Sequence, residues 1–396
     1  MRILLFSGKG GVGKTSVAAA TAVHLAEAGK RTLAMSVDPA HSLADSFDLG
    51  GALFHGATSD PLNIGERLFI QEVNINHEIK RYWSDISAYV TSVLRTSGLT
   101  GVQAEEMAIF PGMEELSAMM YVNKYRKSSE FDVIILDCAP TAESLRFISL
   151  PTTLDWYMKH VFHLERSILK AVRPIANRMS PVELPPDSYF RNILSLFEKI
   201  EGIDTVLEDA NITSVRLVTN AEKMVLRETQ RAFVYFSLNG LVVDSIVVNR
   251  LIPEEVQDGF FEHWRESQRD TLAEIEQYFA PVPVRRVPMF RDEVFGIDRL
   301  GKLAAALYEP GEDPAAITSS SPPFSFVRNG DTYEVLVDFP FADKAEIGLF
   351  KEDDALVIEV GTIRRHVGLP TMMAGLTPVK AQLDGRKLRV EMREQR

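Results

Sequence analysis

GKGGVGKT, from Gly8 to Thr15, is the stretch from which the rest of the chain can be read. Before it comes RILLFS, residues 2–7, a short apolar run. After it comes KTSVAAATAVHLAEAGK, an alanine-rich stretch that stops at Gly29. The order predicts a buried strand, a glycine loop and a helix with a glycine stop. Such a loop binds phosphate because its glycines let backbone N–H groups point into one concavity, and the helix start adds its positive end. The pattern G-x-x-x-x-G-K-[ST] assigns Lys14 to the β- and γ-phosphates and Thr15 to Mg²⁺. The nucleotide-binding run is then Gly8, Lys9, Gly10, Gly11, Val12, Gly13, Lys14, Thr15 and Ser16. The pattern does not ask for Lys9. Three roles are open to it: a surface lysine, a phosphate ligand in its own subunit, or a cation that reaches a partner subunit's nucleotide, as an arginine finger does.

Working outward, RTLAMSVD (31–38), FDVIILDCAP (131–140), SVRLVTN (214–220) and GLVVDSIVVNR (240–250) read as further strands, with the helical AEKMVLRETQRAF between the last two. Strands alternating with helices predict an α/β fold: a parallel sheet covered on both faces. Helical regions at about 77–128 and 152–210 interrupt that rhythm. In the second, Tyr157, Val161, Leu164, Ile168, Val172, Ile175 and Met179 mark one helical face, which Pro174 should kink or end. The α/β part that carries the phosphate loop is expected to span 1–308. EPGEDPAAITSSSPP, from Glu309 to Pro323, has little to bury and reads as a linker. Beyond it, over 324–396, short runs with period-two alternation predict a small all-β sandwich.

The chain has 396 residues, a formal net charge of −12 and a single cysteine, Cys138. The acidic balance argues against nucleic acid as a partner. One cysteine excludes an intrachain disulfide and a cysteine-built zinc or iron–sulfur site within one chain. His160, His163 and His263 lack partners at ligand spacing and read as solvated or capping residues. No signal peptide or membrane span is legible, so a cytoplasmic protein is expected.

GKGGVGKT resembles the deviant phosphate loop, with its signature lysine, of the nitrogenase iron proteins, partition ATPases, arsenical-pump ATPases and tail-anchored-protein targeting ATPases. VDPAHSLADSF (37–47) and DCAPTAESLRFISLP (137–151) resemble the switch segments of the last two groups, and FPGMEELSAM (110–119) a segment that follows. The resemblance implies a homodimer with ATP or ADP and Mg²⁺ at its interface, and a trans role for Lys9. It makes Asp38 the residue that directs the attacking water. Asp38 and Asp137 would hold Mg²⁺ through water, and Thr15 directly. Without the resemblance, a carboxylate just past a strand, as at Asp38, can polarise water or cap a turn. VVNR places Asn249 where the family has an adenine contact. VPMFRDEVFGIDRLGKLA (287–304) resembles the adenine loop, giving Pro288 and Met289, the latter in place of the usual leucine.

The helical inserts fall where this family binds clients, which implies apolar helices or unfolded segments as partners and admits a membrane-bound receptor. Met107, Met113, Met119 and Met120 suit a promiscuous apolar groove, and equally an ordinary core. Zinc-holding C-x-x-C pairs that join subunits in the eukaryotic targeting factors are missing, so a dimer must rest on other contacts. A soft metalloid needs two or three thiolates, which argues against arsenite binding. An arsenite or antimonite efflux subunit and a non-enzymatic holdase remain the alternatives to a client-coupled ATPase. Residues 322–396 resemble the α-crystallin domain of small heat-shock proteins, with Leu383, Gly385, Leu388 and Val390 on its closing signature.

Overall fold

Eight strands form one sheet: β1 (Arg2–Ser7), β2 (Thr32–Ser36), β3 (Leu62–Asn63), β4 (Leu68–Glu72), β5 (Val133–Asp137), β6 (Thr213–Asn220), β7 (Val243–Leu251) and β8 (Val284–Pro288). Their order across the sheet is β3-β4-β2-β5-β1-β6-β7-β8. Alternate side chains of β1 enter different cores, Ile3 and Leu5 on one face, Leu4 and Phe6 on the other. Both faces are therefore covered, as uninterrupted apolar strands require. The described neighbours pair in parallel except β3, which runs antiparallel to β4 through a short turn at Gly65. The expected parallel sheet is thus mixed at one edge, where a brief hairpin needs no crossover. The protein is described by a computed structural model over residues 1–37, 42–49, 60–73, 86–88, 91–92, 94, 113–138, 154, 158, 162, 187–318, 324–329, 332–338, 347–352, 355–360, 363–369, 373, 375–384 and 387–394.

Among the described residues the longer helices are, in chain order, α1 (Lys14–Glu27), α2 (Ser42–Ser46), α3 (Met113–Ser128), α4 (Asp187–Ile200), α5 (Ile203–Glu208), α6 (Lys223–Leu238), α7 (Glu262–Phe279) and α8 (Ile297–Leu307). Val17, Leu43 and Leu303 bring α1, α2 and α8 to one face. Met119, Ile203, Phe233 and Ile275 bring α3, α5, α6 and α7 to the other. α1 stops where the sequence predicts: Gly29 adopts φ 85°, and Lys30 N–H donates back to Leu25 O at 3.0 Å, a left-handed glycine stop.

The N-terminal edge of the sheet is closed by the segment that follows α8. Tyr308 is buried, and its hydroxyl lies 2.7 Å from that of Thr21 and accepts from Arg216 Nη1 at 2.9 Å. Arg2 Nε donates to Ala315 O at 3.1 Å, and Arg216 Nη2 donates to Pro314 O. Arg285 pairs with Glu312, and Lys30 with Asp313 at 2.9 Å. Residues 309–318, which the composition reads as linker, therefore follow a fixed course along the sheet over 312–315. Composition misses this because the partners are basic side chains 27 to 313 residues away in sequence.

The C-terminal region is two antiparallel sheets. β9 (Phe324–Asn329), β10 (Thr332–Asp338), β14 (Leu376–Asp384) and β15 (Lys387–Glu394) form one, in the order β14-β15-β10-β9; β11 (Ile347–Glu352), β12 (Ala355–Val360) and β13 (Ile363–Gly368) form the other. Val335, Val337, Leu356, Ile358, Leu388 and Val390 share one core, and Val234 and Leu238 of α6 belong to it. The expected all-β sandwich is present. It packs on the α/β part through α6. Gly385 lies outside the described residues.

Candidate nucleotide site

β1 ends at Ser7 in the middle of the sheet, and the chain turns through Gly8–Gly13 into α1. Gly8 has φ 155°, and a Cβ there would come within 2.1 Å of Val218 O on β6. Gly13 has φ 92°, and its Cβ would meet Asn249 Nδ2 at 2.3 Å. Both positions exclude a side chain, so the loop packs against β6 and β7 through bare backbone. Gly13 also caps α1, with no side chain bonded to the free first-turn N–H groups. Those donors and the helix dipole make an anion cradle at the start of α1.

The surrounding side chains hold the loop. Lys14 is buried, and its Nζ lies 3.4 Å from Lys9 O. Asn249 Nδ2 donates to Val12 O at 2.8 Å, and its Oδ1 accepts from Arg250 N–H at 2.9 Å. Arg250 Nη1 donates to Gly11 O at 3.0 Å. Gly10 and Gly11 remain exposed. The Lys9 side chain turns the other way, toward α6, where its Nζ is 3.8 Å from Glu228 Oε2.

Thr15 and Ser42 bring their hydroxyls within 3.2 Å of each other. Asp137 is buried at the end of β5, level with Phe6 of β1 and Ser36 of β2. Hydroxyl and carboxylate oxygens at the mouth of a phosphate cradle suit Mg²⁺, a hard cation that prefers oxygen. Asp38 lies outside the described residues. Its neighbour Val37 donates its N–H to Asp137 O at 3.0 Å.

Beside the loop is a cavity of about 510 Å³, lined by Gly13, Ser16, Ser42, Asn249, Pro288, Met289 and residues 290–295 among others. Met289 N–H donates to Leu251 O at 2.7 Å and Gly296 N–H to Ser46 O at 2.8 Å, which fastens this segment to β7 and α2. The structure thus gathers Gly8–Ser16, Asn249, Pro288 and Met289 on one edge of the sheet.

Residues 1–309 match the anion-transporting ATPase family, and residues 330–392 match an HSP20-like domain found in ArsA. The chain belongs to the anion-transporting ATPase family. It is an ATPase of P-loop type with an HSP20-like region after it. An Aquifex aeolicus protein named "Putative arsenical pump-driving ATPase 1" is 45% identical over 388 residues, covering 97% of this chain and 98% of its own. A Chlorobaculum tepidum protein of the same name, without the numeral, is 40% identical over 384 residues, 96% of this chain and 92% of its own. ATPase get3 of Aspergillus niger is 29% identical over 318 residues, 79% of this chain and 92% of its own.

Sequence reading passed over three members of this site. Ser42 lies in the quoted VDPAHSL segment, where a serine opening a helix is a usable signal. Arg250 directly follows the quoted Asn249. Glu228, the partner of Lys9, is one of several charged residues on α6 and carries no signal of its own. His263 is exposed and 3.6 Å from Glu266; His160 and His163 lie outside the described residues. Among the described residues, no cluster of three or more candidate ligands for a metal occurs, and no helix is long and apolar enough to cross a membrane.

A second cavity, of about 220 Å³, lies among the helical inserts. Leu116 and Met120 of α3 line it, with Met158 and, from α4, Tyr189, Ile193, Leu196, Phe197 and Ile200. Met119 is buried in the main core and Met113 in a small satellite cluster. Of the methionines in the first insert, Met120 reaches the cavity, and Met107 lies outside the described residues.

Proposed function

We propose that this ATPase works as a homodimer with nucleotide at the interface, and that it couples Mg²⁺-dependent ATP binding and hydrolysis to capture and release of apolar client segments. The observation that carries the reading is the apolar cavity between α3 and α4, built by helical inserts and separate from the nucleotide cavity. An apolar helix in a helix-lined groove is an established recognition mode.

In this reading the Gly8–Gly13 amides and the start of α1 hold the phosphates. Lys14 offsets charge on the transferred group. Lys9 is paired with Glu228 of α6 and not with its own loop's acceptors among the described contacts, which supports a role on a partner's nucleotide over one on its own. Thr15 would hold Mg²⁺ directly, and Asp38 and Asp137 through water. When bound, the ion neutralises charge on the phosphate oxygens. Asp38 orients the water for attack. Asn249, Pro288 and Met289 border the space for the base. A switching transition driven by the nucleotide state links hydrolysis to the inserts.

An arsenical-pump role is the second reading, favoured by the names of the Aquifex and Chlorobaculum relatives. Against it, the only cysteine, Cys138, is buried, and a metalloid site calls for more than one thiolate. Arsenite-stimulated hydrolysis that a Cys138→Ser variant abolishes would establish it.

Two measurements test the main reading. Lys9→Ala and Asp38→Asn proteins, each inactive alone, are mixed; a mixed dimer keeps one site with its own Asp38 and the partner's Lys9. Random pairing restores about a quarter of wild-type hydrolysis. No rescue removes the trans assignment. Separately, an Asp38→Asn protein loaded with ATP should retain apolar helical peptides, and Leu196→Asp in that background should release them. Equal retention by both removes the groove.

A further inference from the structure

β7 breaks its pairing close to its end. Asn249 is the last residue matched to β6, opposite Asn220, and the ladder to β8 skips from Val248 to Leu251. Arg250 is matched in neither ladder. Its backbone has φ 59°, in the left-handed region that a residue with a Cβ rarely enters. A bulge of this kind turns a side chain off the line of its strand. An unfavourable backbone persists only where its surroundings fix it.

Two neighbouring side chains fix this one. Asn249 Oδ1 accepts from Arg250 N–H at 2.9 Å. Gln268, half-buried on α7, reaches both sides of the bulge: its Nε2 donates to Arg250 O at 3.3 Å, and its Oε1 accepts from Ile252 N–H at 2.9 Å. Held in this way, the exposed Arg250 sets Nη1 on Gly11 O at 3.0 Å, next to the bond from Asn249 Nδ2 to Val12 O at 2.8 Å. Two consecutive loop carbonyls are therefore tied to the end of β7. In a planar trans peptide, C=O and N–H point in opposite directions. Fixing Gly11 O and Val12 O thus also fixes the N–H groups of Val12 and Gly13, which point away from those ties. Among the described contacts neither N–H has a partner. Both are left for an anion, and the guanidinium adds positive charge behind them.

We propose that Arg250 is a positioning residue for the phosphate loop, and that Gln268 supports it by holding the bulge from which the guanidinium reaches Gly11 O. The proposal rests on the reading of Gly8–Ser16 as the phosphate site. It adds one residue that acts on the loop and a second, on α7, that acts only through the first. Arg250 also lines the cavity of about 510 Å³ beside the loop. Its guanidinium bond among the described residues is nevertheless to loop backbone, which favours action on the loop over contact with a base. A specific dependence follows. Gln268 matters only while residue 250 carries a guanidinium on an unfavourable backbone. Glycine takes the left-handed region freely, and asparagine tolerates it; neither carries the guanidinium.

Calorimetric titration of the full chain with ADP and with inorganic tripolyphosphate tests this, using wild type, Arg250→Gly, Gln268→Ala and the double variant. Arg250→Gly should weaken both ligands about tenfold, the low end for a hydrogen bond to a charged group, and Arg250→Asn should match it. Added methylguanidinium should restore part of the affinity of Arg250→Gly. Gln268→Ala should weaken both ligands in the wild type and change nothing further in Arg250→Gly. Unchanged affinity in Arg250→Gly and Arg250→Asn overturns the proposal. So does a loss confined to ADP, which would make Arg250 a base contact. An equal effect of Gln268→Ala in both backgrounds overturns the part given to Gln268. If the wild type binds neither ligand, or binds both as well after Lys14→Ala, the phosphate reading itself falls and takes the proposal with it.

Discussion

Replacing Asn249 with alanine tests what that side chain is for. The family resemblance makes it an adenine contact, yet both ends of its amide are engaged by backbone. Nδ2 donates to Val12 O at 2.8 Å and Oδ1 accepts from Arg250 N–H at 2.9 Å, in a buried setting. The first bond ties the end of β7 to the phosphate loop, and the second stays within β7 and fixes the amide's orientation. A buried hydrogen bond contributes about 0.5–1.5 kcal/mol, so losing the tie to the loop costs about that much. The cost falls on the loop in its binding shape, because Gly13 packs directly against the same amide. Nucleotide affinity should therefore drop by between about 2-fold and about 12-fold. The loop argument applies to any ligand held by those N–H groups, with or without a base. Calorimetric titration with ADP and with inorganic tripolyphosphate separates the two roles. If Asn249 works through the loop, Asn249→Ala weakens both ligands by a similar factor. If ADP weakens and tripolyphosphate does not, the loop argument is refuted and Asn249 is a base contact.

Two further outcomes concern the closed edge of the sheet. Arg216 and Asp244 are both buried and paired at 3.2 Å; Asp244→Ala strands the Arg216 charge and should cost about 3–5 kcal/mol in urea unfolding, whereas replacing both with leucine should recover most of that. Burial pushes the Glu312 carboxyl up, but the hydrogen bonds from Arg285 and Glu309 N–H and the Arg285 charge pull it below its ordinary 4.5. The stability from that depression is therefore full above pH 4.5 and is lost as pH falls through the lowered value. Thermal melts taken from neutral pH into the acid range should show this loss in the wild type and a smaller one in Glu312→Gln.

How much was legible in the sequence depended on where each residue's partner lies. β1, α1 and β5 were readable because their decisive features are local: a glycine motif, an alanine-rich helix, an all-apolar strand. β4 and β8 were passed over because each carries polar residues whose partners are remote. Gln71 of β4 is buried and accepts from Tyr125 Oη at 3.0 Å. Arg285 and Arg286 of β8 are matched by Glu312 and Glu276. Without those partners, LFIQE and VRRVP do not look like strands. At the nucleotide site, the motif gave the loop residues directly. It could not give Glu228 beside Lys9, or show that Asn249 holds Val12, since both contacts join segments more than two hundred residues apart.

The α6 helix shows why the HSP20-like region is more than an appendage. In its first half, Glu228 faces Lys9, and Thr229 Oγ1 donates to Thr219 Oγ1 of β6 at 2.9 Å. In its second half, Val234 and Leu238 complete the core of the β sandwich. For the sandwich to swing away, both side chains must be exposed to water. Fully burying an aliphatic side chain is worth about 1.5–3 kcal/mol, so undocking costs about 3–6 kcal/mol before any loss on the sandwich side is counted. At 1.4 kcal/mol per decade, the docked arrangement is favoured by about two to four orders of magnitude. The chain before the sandwich is also pinned, by Arg2 and Arg216 on Ala315 and Pro314. Held at the strap and at α6, the sandwich is bound to the same rigid helix that carries the partner of Lys9.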